Sequence, residues 1–264
     1  MLTEVKNQLK VTVLSIKYGL MREMLNKVTF VSNVVFMILN NATFIIQWIV
    51  LYSLKDNVGG YTFKQILLLW GLAASTFGVA HFLFKRAFGL SNIINTGKLD
   101  SYLVQPKNVL LSAITSDVEP SALGDFIYGL IMLFIYGFTF KNFVLFTVFS
   151  ITGGLIMASV AVILASLSFW ISKSDAIAEK GNSMLTSFGT YPDGIFKGFV
   201  KLILFTLIPI GFINYIPVRL LTNFNLGYFF LVIAVTIIIV MLAFLIFYRG
   251  LKRYSSSNLM IARV

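Results

Sequence analysis

Few side chains in this chain of 264 residues are able to do chemistry, and their spacing limits what that chemistry is. Cysteine is absent and His81 is the single histidine. Disulfides, zinc sites and thiol catalysis are therefore excluded, as is a haem held by two histidines of one chain. Thr96-Gly97-Lys98-Leu99 resembles the end of a nucleotide-binding loop, G-x-x-x-x-G-K-[ST]. Asn92 stands where that loop needs its first glycine and Leu99 where it needs a hydroxyl, so ATP is not bound by this motif. No H-E-x-x-H helix and no G-x-S-x-G elbow occurs. Asp175 and Glu179 are four residues apart and can share a helix face, which without further groups is thin support for catalysis.

What remains is a pattern of amides. Asn26, Asn33, Asn40 and Gln47 recur at seven-residue steps. On a helix that step keeps one face, drifting by about 20° each time. Amides turned to lipid would be unsatisfied and costly. This face is expected inside the bundle, at a subunit contact or on a wet pathway, and helix–helix hydrogen bonding accounts for it equally well. Asp125 lies about one turn inside a later apolar stretch. It is an ionisable candidate within reach of a Lys or Arg from a neighbouring loop.

The elements that must hold these residues are membrane helices. The composition is 58% hydrophobic and 12% charged, against about 25% charged in soluble domains. The apolar runs are continuous and about twenty residues long, as helices require, whereas a barrel would alternate. The fold class is an all-α polytopic membrane protein forming one domain over 1–264. Spans are expected at 28–54, 61–84, 120–138, 143–171 and 228–248, with one more in the stretch 176–217, six in all. Gly71, Ala74, Ser75 and Gly78 suit the second to close helix packing. Residues 1–27 read as a basic amphipathic helix on the membrane surface, with Val5, Leu9, Val13, Ile16, Leu20 and Met24 as its apolar stripe. No cleavable leader is expected, since Glu4, Lys6, Lys10 and Lys17 interrupt the first twenty residues.

The net charge of +11 is read as basic loops on one membrane face, not as a nucleic-acid surface. Thirteen of the 21 basic residues fall in the first 27 residues, in 85–108 and in the tail from Arg249 to Arg263. That bias puts both termini in the cytoplasm. The loop 85–119 is the longest stretch without a spanning signal. It sets Leu99, Tyr102 and Leu103 among Lys98 and Asp100, after Gly97 and before Pro106, which stops a helix. It is either an ordinary interfacial turn or a docking element for a partner. The stretch 176–217 also admits two readings. One is a short span over 176–191, a turn at Tyr191 and Pro192, and a re-entrant hairpin over 192–217 returning at Pro209 and Pro217. The other is a cytoplasmic loop followed by a span over 198–216. Glu179 and Asn182 argue against a lipid-facing helix and suit one that faces an aqueous path.

With these residues laid out, the chain resembles ABC-2 type permeases, in the branch of six-span bacterial exporters. The resemblance rests on Tyr61-Thr62-Phe63, Gly78 with His81, the run Gly97-Lys98-Leu99-Asp100-Ser101-Tyr102-Leu103-Val104-Gln105-Pro106, and Ala122-Leu123-Gly124-Asp125. Phe169-Trp170, Tyr191-Pro192, Ile195-Phe196, Ile208-Pro209 and Tyr215-Ile216-Pro217 complete it. It implies a half-transporter in a bacterial cell membrane, paired with an identical or related permease and with two cytoplasmic ATPase subunits that bind ATP and Mg. The chain itself then needs no cofactor and is not an enzyme. Gly97, Lys98, Leu99, Asp100, Tyr102, Leu103 and Pro106 would couple to the ATPase. Asn33, Asn40, Gln47, Glu179 and Asn182 would line the pathway or dimer contact. The resemblance also favours the re-entrant hairpin. A membrane scaffold or immunity protein is the alternative function.

Overall fold

The computed structural model describes residues 2–171 and 174–255, with side chains from Lys6 onward. The turn expected at Ser172-Lys173 and the tail residue Arg263 lie outside the described residues. No strand forms among the described residues, and the order is helical throughout. The surface helix is α1 (Leu2–Glu23). Asn26 accepts from the Thr29 N–H at 3.1 Å and starts α2 (Lys27–Leu54). Gly59 and Gly60, at φ of 60° and 84°, make the tight turn that pairs Val58 with Tyr61. Thr62 and Gln65 then open α3 (Phe63–Phe84) with a capping box, the Thr62 N–H donating to Gln65 Oε1 at 2.9 Å.

Three short helices follow: α4 (Leu90–Asn95), α5 (Asp100–Leu103) and α6 (Val109–Ile114). The bundle resumes with α7 (Ala122–Gly137), α8 (Phe140–Ser166) and α9 (Asp175–Gly189). After α9 come α10 (Gly198–Ile203), a π-helical turn over 211–215, α11 (Ile216–Thr222) and α12 (Leu226–Leu251). Helix α2, the stretch 63–95, the stretch 140–169 and α12 are long and apolar enough to cross a membrane. Helix α7 is apolar but has 16 residues, and α9 has 15. At 1.5 Å per residue they run about 24 and 22 Å, short of a ~30 Å hydrocarbon layer.

Helix α3 is the hub, and glycines set how closely its neighbours approach. A Cβ on Gly129 of α7 would meet Ser75 Oγ and the Gly71 carbonyl of α3. A Cβ on Gly78 would lie 2.7 Å from the Ala122 carbonyl oxygen. A Cβ on Gly124 would sit 2.8 Å from Met37 Cβ of α2. The α2–α3–α7 sheaf therefore packs through small residues, as membrane helices without a hydrophobic driving force must. Helix α12 leaves most of its apolar surface exposed. Its Thr236 hydroxyl is satisfied internally, donating to the Val232 carbonyl at 2.7 Å.

The stretch 198–216 is not one span. Helix α10 ends at Ile203, the chain reverses, and the Gly211 N–H donates to the Leu204 carbonyl at 2.9 Å before the chain returns through α11. This is a hairpin, and its tip is deep. A Cβ on Gly153 of α8 would meet Thr76 at 2.7 Å and Ile213 at 3.4 Å. Thr76 is thirteen residues into α3, about 20 Å from that helix's start.

Candidate functional site

Two cavities lie end to end beside α9. The first, of about 530 Å³, is lined by Asn40, Asn41 and Gln47 of α2, Trp70 and Thr76 of α3, Asp125 of α7, Thr186 and Thr190 of α9, and Asn214 of the hairpin. The second, of about 520 Å³, lies nearer the α4–α6 end and is lined by His81, Asn92, Asp175, Glu179, Asn182 and Ser183. Both are walled by Phe77, Met157 and Thr186, so they are two chambers of one groove. Asp175, Glu179, Asn182, Thr186 and Thr190 recur at steps of three and four and form one face of α9. The amphipathic α9 thus turns its polar stripe to the groove. Asn95 donates to both Asp175 carboxylate oxygens, at 3.2 and 3.1 Å, and fixes the foot of α9 against α4.

The amides of α2 are divided by their orientation. Asn33, Asn40 and Gln47 are exposed on this single chain, and only Asn40 and Gln47 reach the groove. The buried amide is Asn41. Its Nδ2 donates to Asp125 Oδ1 at 2.6 Å and to the Met37 carbonyl at 3.0 Å. Asp125 is 3% exposed and pairs with an amide, and not with the Lys or Arg of a neighbouring loop that its position would have allowed. Three basic residues near the loop after α3 are held elsewhere. Arg22 reaches Asp117 at 2.7 Å, Arg86 reaches it at 3.5 Å, and Lys85 sits 2.9 Å from Glu119. His81 is stacked between Phe77 and Phe88, with centroids 3.7 and 3.9 Å away, and its Nδ1 lies 3.2 Å from the Phe77 carbonyl.

The groove leaves several buried polar atoms without partners: Asp125 Oδ2, Thr76 Oγ1, Asn214 Oδ1, Trp70 Nε1 and Asn182 Oδ1. Asn214 does spend its amide N–H₂ on the Gly189 carbonyl, at 3.0 Å. Buried polar groups are normally satisfied, so a cluster of exceptions, four on the first cavity and Asn182 on the second, marks a place for a ligand or solvent. No group of three or more metal-ligating side chains occurs among the described residues.

On the hairpin side, Asp193 is the organising carboxylate. It is 1% exposed and accepts from Tyr61 Oη at 2.9 Å and from Arg219 Nη2 at 2.7 Å, with Lys201 Nζ at 3.0 Å. Burial pushes its pKa up. The hydrogen bonds from Lys201 and Tyr61 and the charges of Arg219 and Lys201 outweigh that and hold it below the usual carboxylate range. Asp193 ties both hairpin arms to the α2–α3 turn. Tyr191 packs its ring on Trp48, with centroids 6.0 Å apart, and lines the groove, while Pro192 and Pro217 are buried. Pro209 lies in the reversal between α10 and the π turn, where its carbonyl accepts the Phe212 N–H at 3.1 Å.

At the other end, the candidate coupling residues face different ways. Leu99 is fully buried among Ala87, Leu90 and Ile94, and Tyr102 turns inward to donate to Ser116 Oγ at 3.0 Å. A residue expected to touch a partner is thus part of the loop's own core. Gly97, at φ 74°, makes the turn from α4 into α5. Asp100 is half-buried, and Lys98, Leu103, Val104, Gln105 and Pro106 form the exposed face, with Val104 84% exposed. Helix α1 is joined to this platform. Gln8 accepts the Asn108 N–H at 2.9 Å, and its Nε2 lies 3.5 Å from Ser112 Oγ. Leu9 and Val13, from the predicted apolar stripe, are exposed on its outer side.

Sequence reasoning missed Asn41 and Asp193. The doublet Asn40-Asn41 was one available signal. The other was that Asp193 is the last acidic residue of the chain, with Lys201 and Arg219 to follow.

These features define a helical integral membrane protein with a polar groove beside a short amphipathic helix. A family model, ABC-2 family transporter protein, matches residues 38–258. The chain belongs to that family and is an ABC-2 type permease. No curated protein and no solved structure matches it.

Proposed function

We propose that the chain is the membrane half of an ATP-driven exporter in a bacterial cell membrane, with both termini in the cytoplasm and six crossings. Helices α2, α3, α7, α8, α9 and α12 make the crossings. The observation that carries this reading is the groove along α9. Its face from Asp175 to Thr190 covers about 22 Å, most of a hydrocarbon layer, from the foot of the helix to the hairpin that caps it. A polar groove of that length, closed by a re-entrant hairpin at one end, is what a pathway sealed on the far side requires.

A cytoplasmic ATPase subunit binds ATP and Mg and supplies the energy. It docks on Lys98, Leu103, Val104, Gln105 and Pro106. Leu99, buried behind them, carries the push into α3 and α4. A second permease covers the exposed amides Asn33, Asn40 and Gln47 of α2, and anionic lipid holds α1. The test is purification of the tagged chain in mild detergent, with wild type compared with Val104→Asp. An ATPase that co-purifies with the wild type and is lost from the variant supports the reading. A folded wild-type chain that brings down no ATPase sinks it and leaves a scaffold role.

A further inference from the structure

The charged residues that line the groove all have one sign. Asp125 lines the inner chamber, the first cavity against the hairpin, and Asp175 and Glu179 line the outer one, the second cavity at the foot of α9. No Lys or Arg lines either chamber among the described residues, although the chain carries 21 of them against 10 acidic residues. A cleft walled by apolar side chains and lined by one sign of charge focuses its field and concentrates the opposite ion. The deepest carboxyl is also incompletely bonded. Asn41 occupies Asp125 Oδ1, and Oδ2 is buried with no partner. Asn214 Oδ1 and Thr76 Oγ1, on the same chamber wall, are likewise unpartnered. Asn214 Oδ1 is an acceptor and a threonine hydroxyl is able to accept, so these three atoms call for N–H groups on the ligand, while Trp70 Nε1, the unpartnered donor of the same chamber, calls for an acceptor on its body. Phe44 and Trp70 stack with centroids 5.2 Å apart at this chamber, and Phe77 stands between the chambers. They offer an apolar bed and ring faces for a cation.

Resting on the pathway reading above, we propose that the cargo is an amphipathic organic amine. Its ammonium group is taken by Asp125 Oδ2 in the inner chamber, and its apolar body lies on Phe44, Trp70 and Phe77. Asp175 and Glu179 gather such cations at the foot of α9. Asn41 is a positioning residue that orients the Asp125 carboxyl and leaves one oxygen open to the ligand.

The experiment uses the full chain in lipid nanodiscs, with empty nanodiscs subtracted. The probe is dansylcadaverine, a primary amine on an aromatic body, compared with its N-acetylated neutral form by fluorescence titration. The amine is expected to bind at least tenfold more tightly than the acetylated form. Asp125→Asn should bring the two within twofold, and Glu179→Gln should weaken only the amine, by about threefold. Equal affinity of the two probes for the wild type, or an undiminished preference in Asp125→Asn, overturns the cation assignment while leaving the groove as a pathway. Should Asp125→Asn fail to fold, competition on the wild type decides. Displacement of the probe by n-decylammonium and not by n-decanol supports the proposal, and equal displacement refutes it. If neither probe enters a monodisperse wild-type chain, the groove is not a binding site and the pathway reading falls with it.

Discussion

The Asn41–Asp125 contact is a buried hydrogen bond between two helices, and its removal has a calculable consequence. Asn41→Leu takes away the donor at 2.6 Å and leaves a carboxyl that is 3% exposed with neither oxygen bonded. Leaving a buried polar group unsatisfied costs about 1–3 kcal/mol, more where charge is involved. Interhelical hydrogen bonds in membranes sit at the low end, averaging about 0.6 and reaching about 1.7 kcal/mol. An expected loss of about 1.5 kcal/mol follows, or about 3–6 °C in Tm at the slope usual for chains of 150–250 residues. Replacing both partners by apolar groups removes the stranded acceptor, so Asn41→Leu with Asp125→Leu should recover at least 1 kcal/mol of the summed single losses. The assay is unfolding of wild type, both singles and the double in mixed micelles with increasing SDS. Additivity within about 0.5 kcal/mol would refute the contact as an energetic unit.

Three further outcomes are expected. Gly129→Ala drives a methyl into Ser75 and Gly71, and Gly71→Ala puts one 2.7 Å from Met132 Cβ, so each should cost about 1–3 kcal/mol in the same assay. Gly89→Ala, with nothing within 4 Å, should lie within about 0.5 kcal/mol of wild type. Leu99→Asp buries a charge in the loop core and should destabilise the chain by several kcal/mol, whereas Val104→Asp should leave its thermal transition unchanged while abolishing ATPase capture. Asp193 has a folded pKa below its unfolded value near 3.8. Its contribution is therefore complete above the unfolded pKa and is lost as pH falls through the folded one. Protection from hydrogen exchange over residues 192–217, taken relative to the intrinsic amide rate at each pH, should fall as the pH drops below the unfolded value near 3.8 in the wild type and show no such step in Asp193→Asn.

How far the sequence reaches is clearest at α2 and at the loop after α3. The seven-residue spacing of Asn33, Asn40 and Gln47 defines one helix face without saying what that face meets. A single residue turns a helix by about 100°, which is why Asn41, next to Asn40, is the amide that closes on Asp125. Which neighbour stands at that azimuth depends on the α2–α7 packing, and periodicity carries no such information. In the loop, Leu99, Leu103 and Val104 are equally apolar in sequence. Only the fold of α4 to α6 over α8 turns Leu99 inward and leaves Val104 in the open. The long apolar helices were legible because about twenty continuous apolar residues have one solution in a bilayer. Helix α9 was ambiguous because a helix lining a groove is amphipathic and short, like one lying in a cytoplasmic loop.

The most direct measurement is chemical access along α9. The natural chain has no cysteine, so each one introduced is a unique probe. Single cysteines would be placed from 175 to 190 in the membrane-embedded protein and treated with a small water-soluble thiol reagent. Positions 179, 182, 186 and 190, on the groove face, should react, and position 178, 2% exposed and lining neither chamber, should stay protected. Protection of 182, 186 and 190 alongside 178 would mean that no aqueous groove follows α9, and the pathway would have to lie elsewhere.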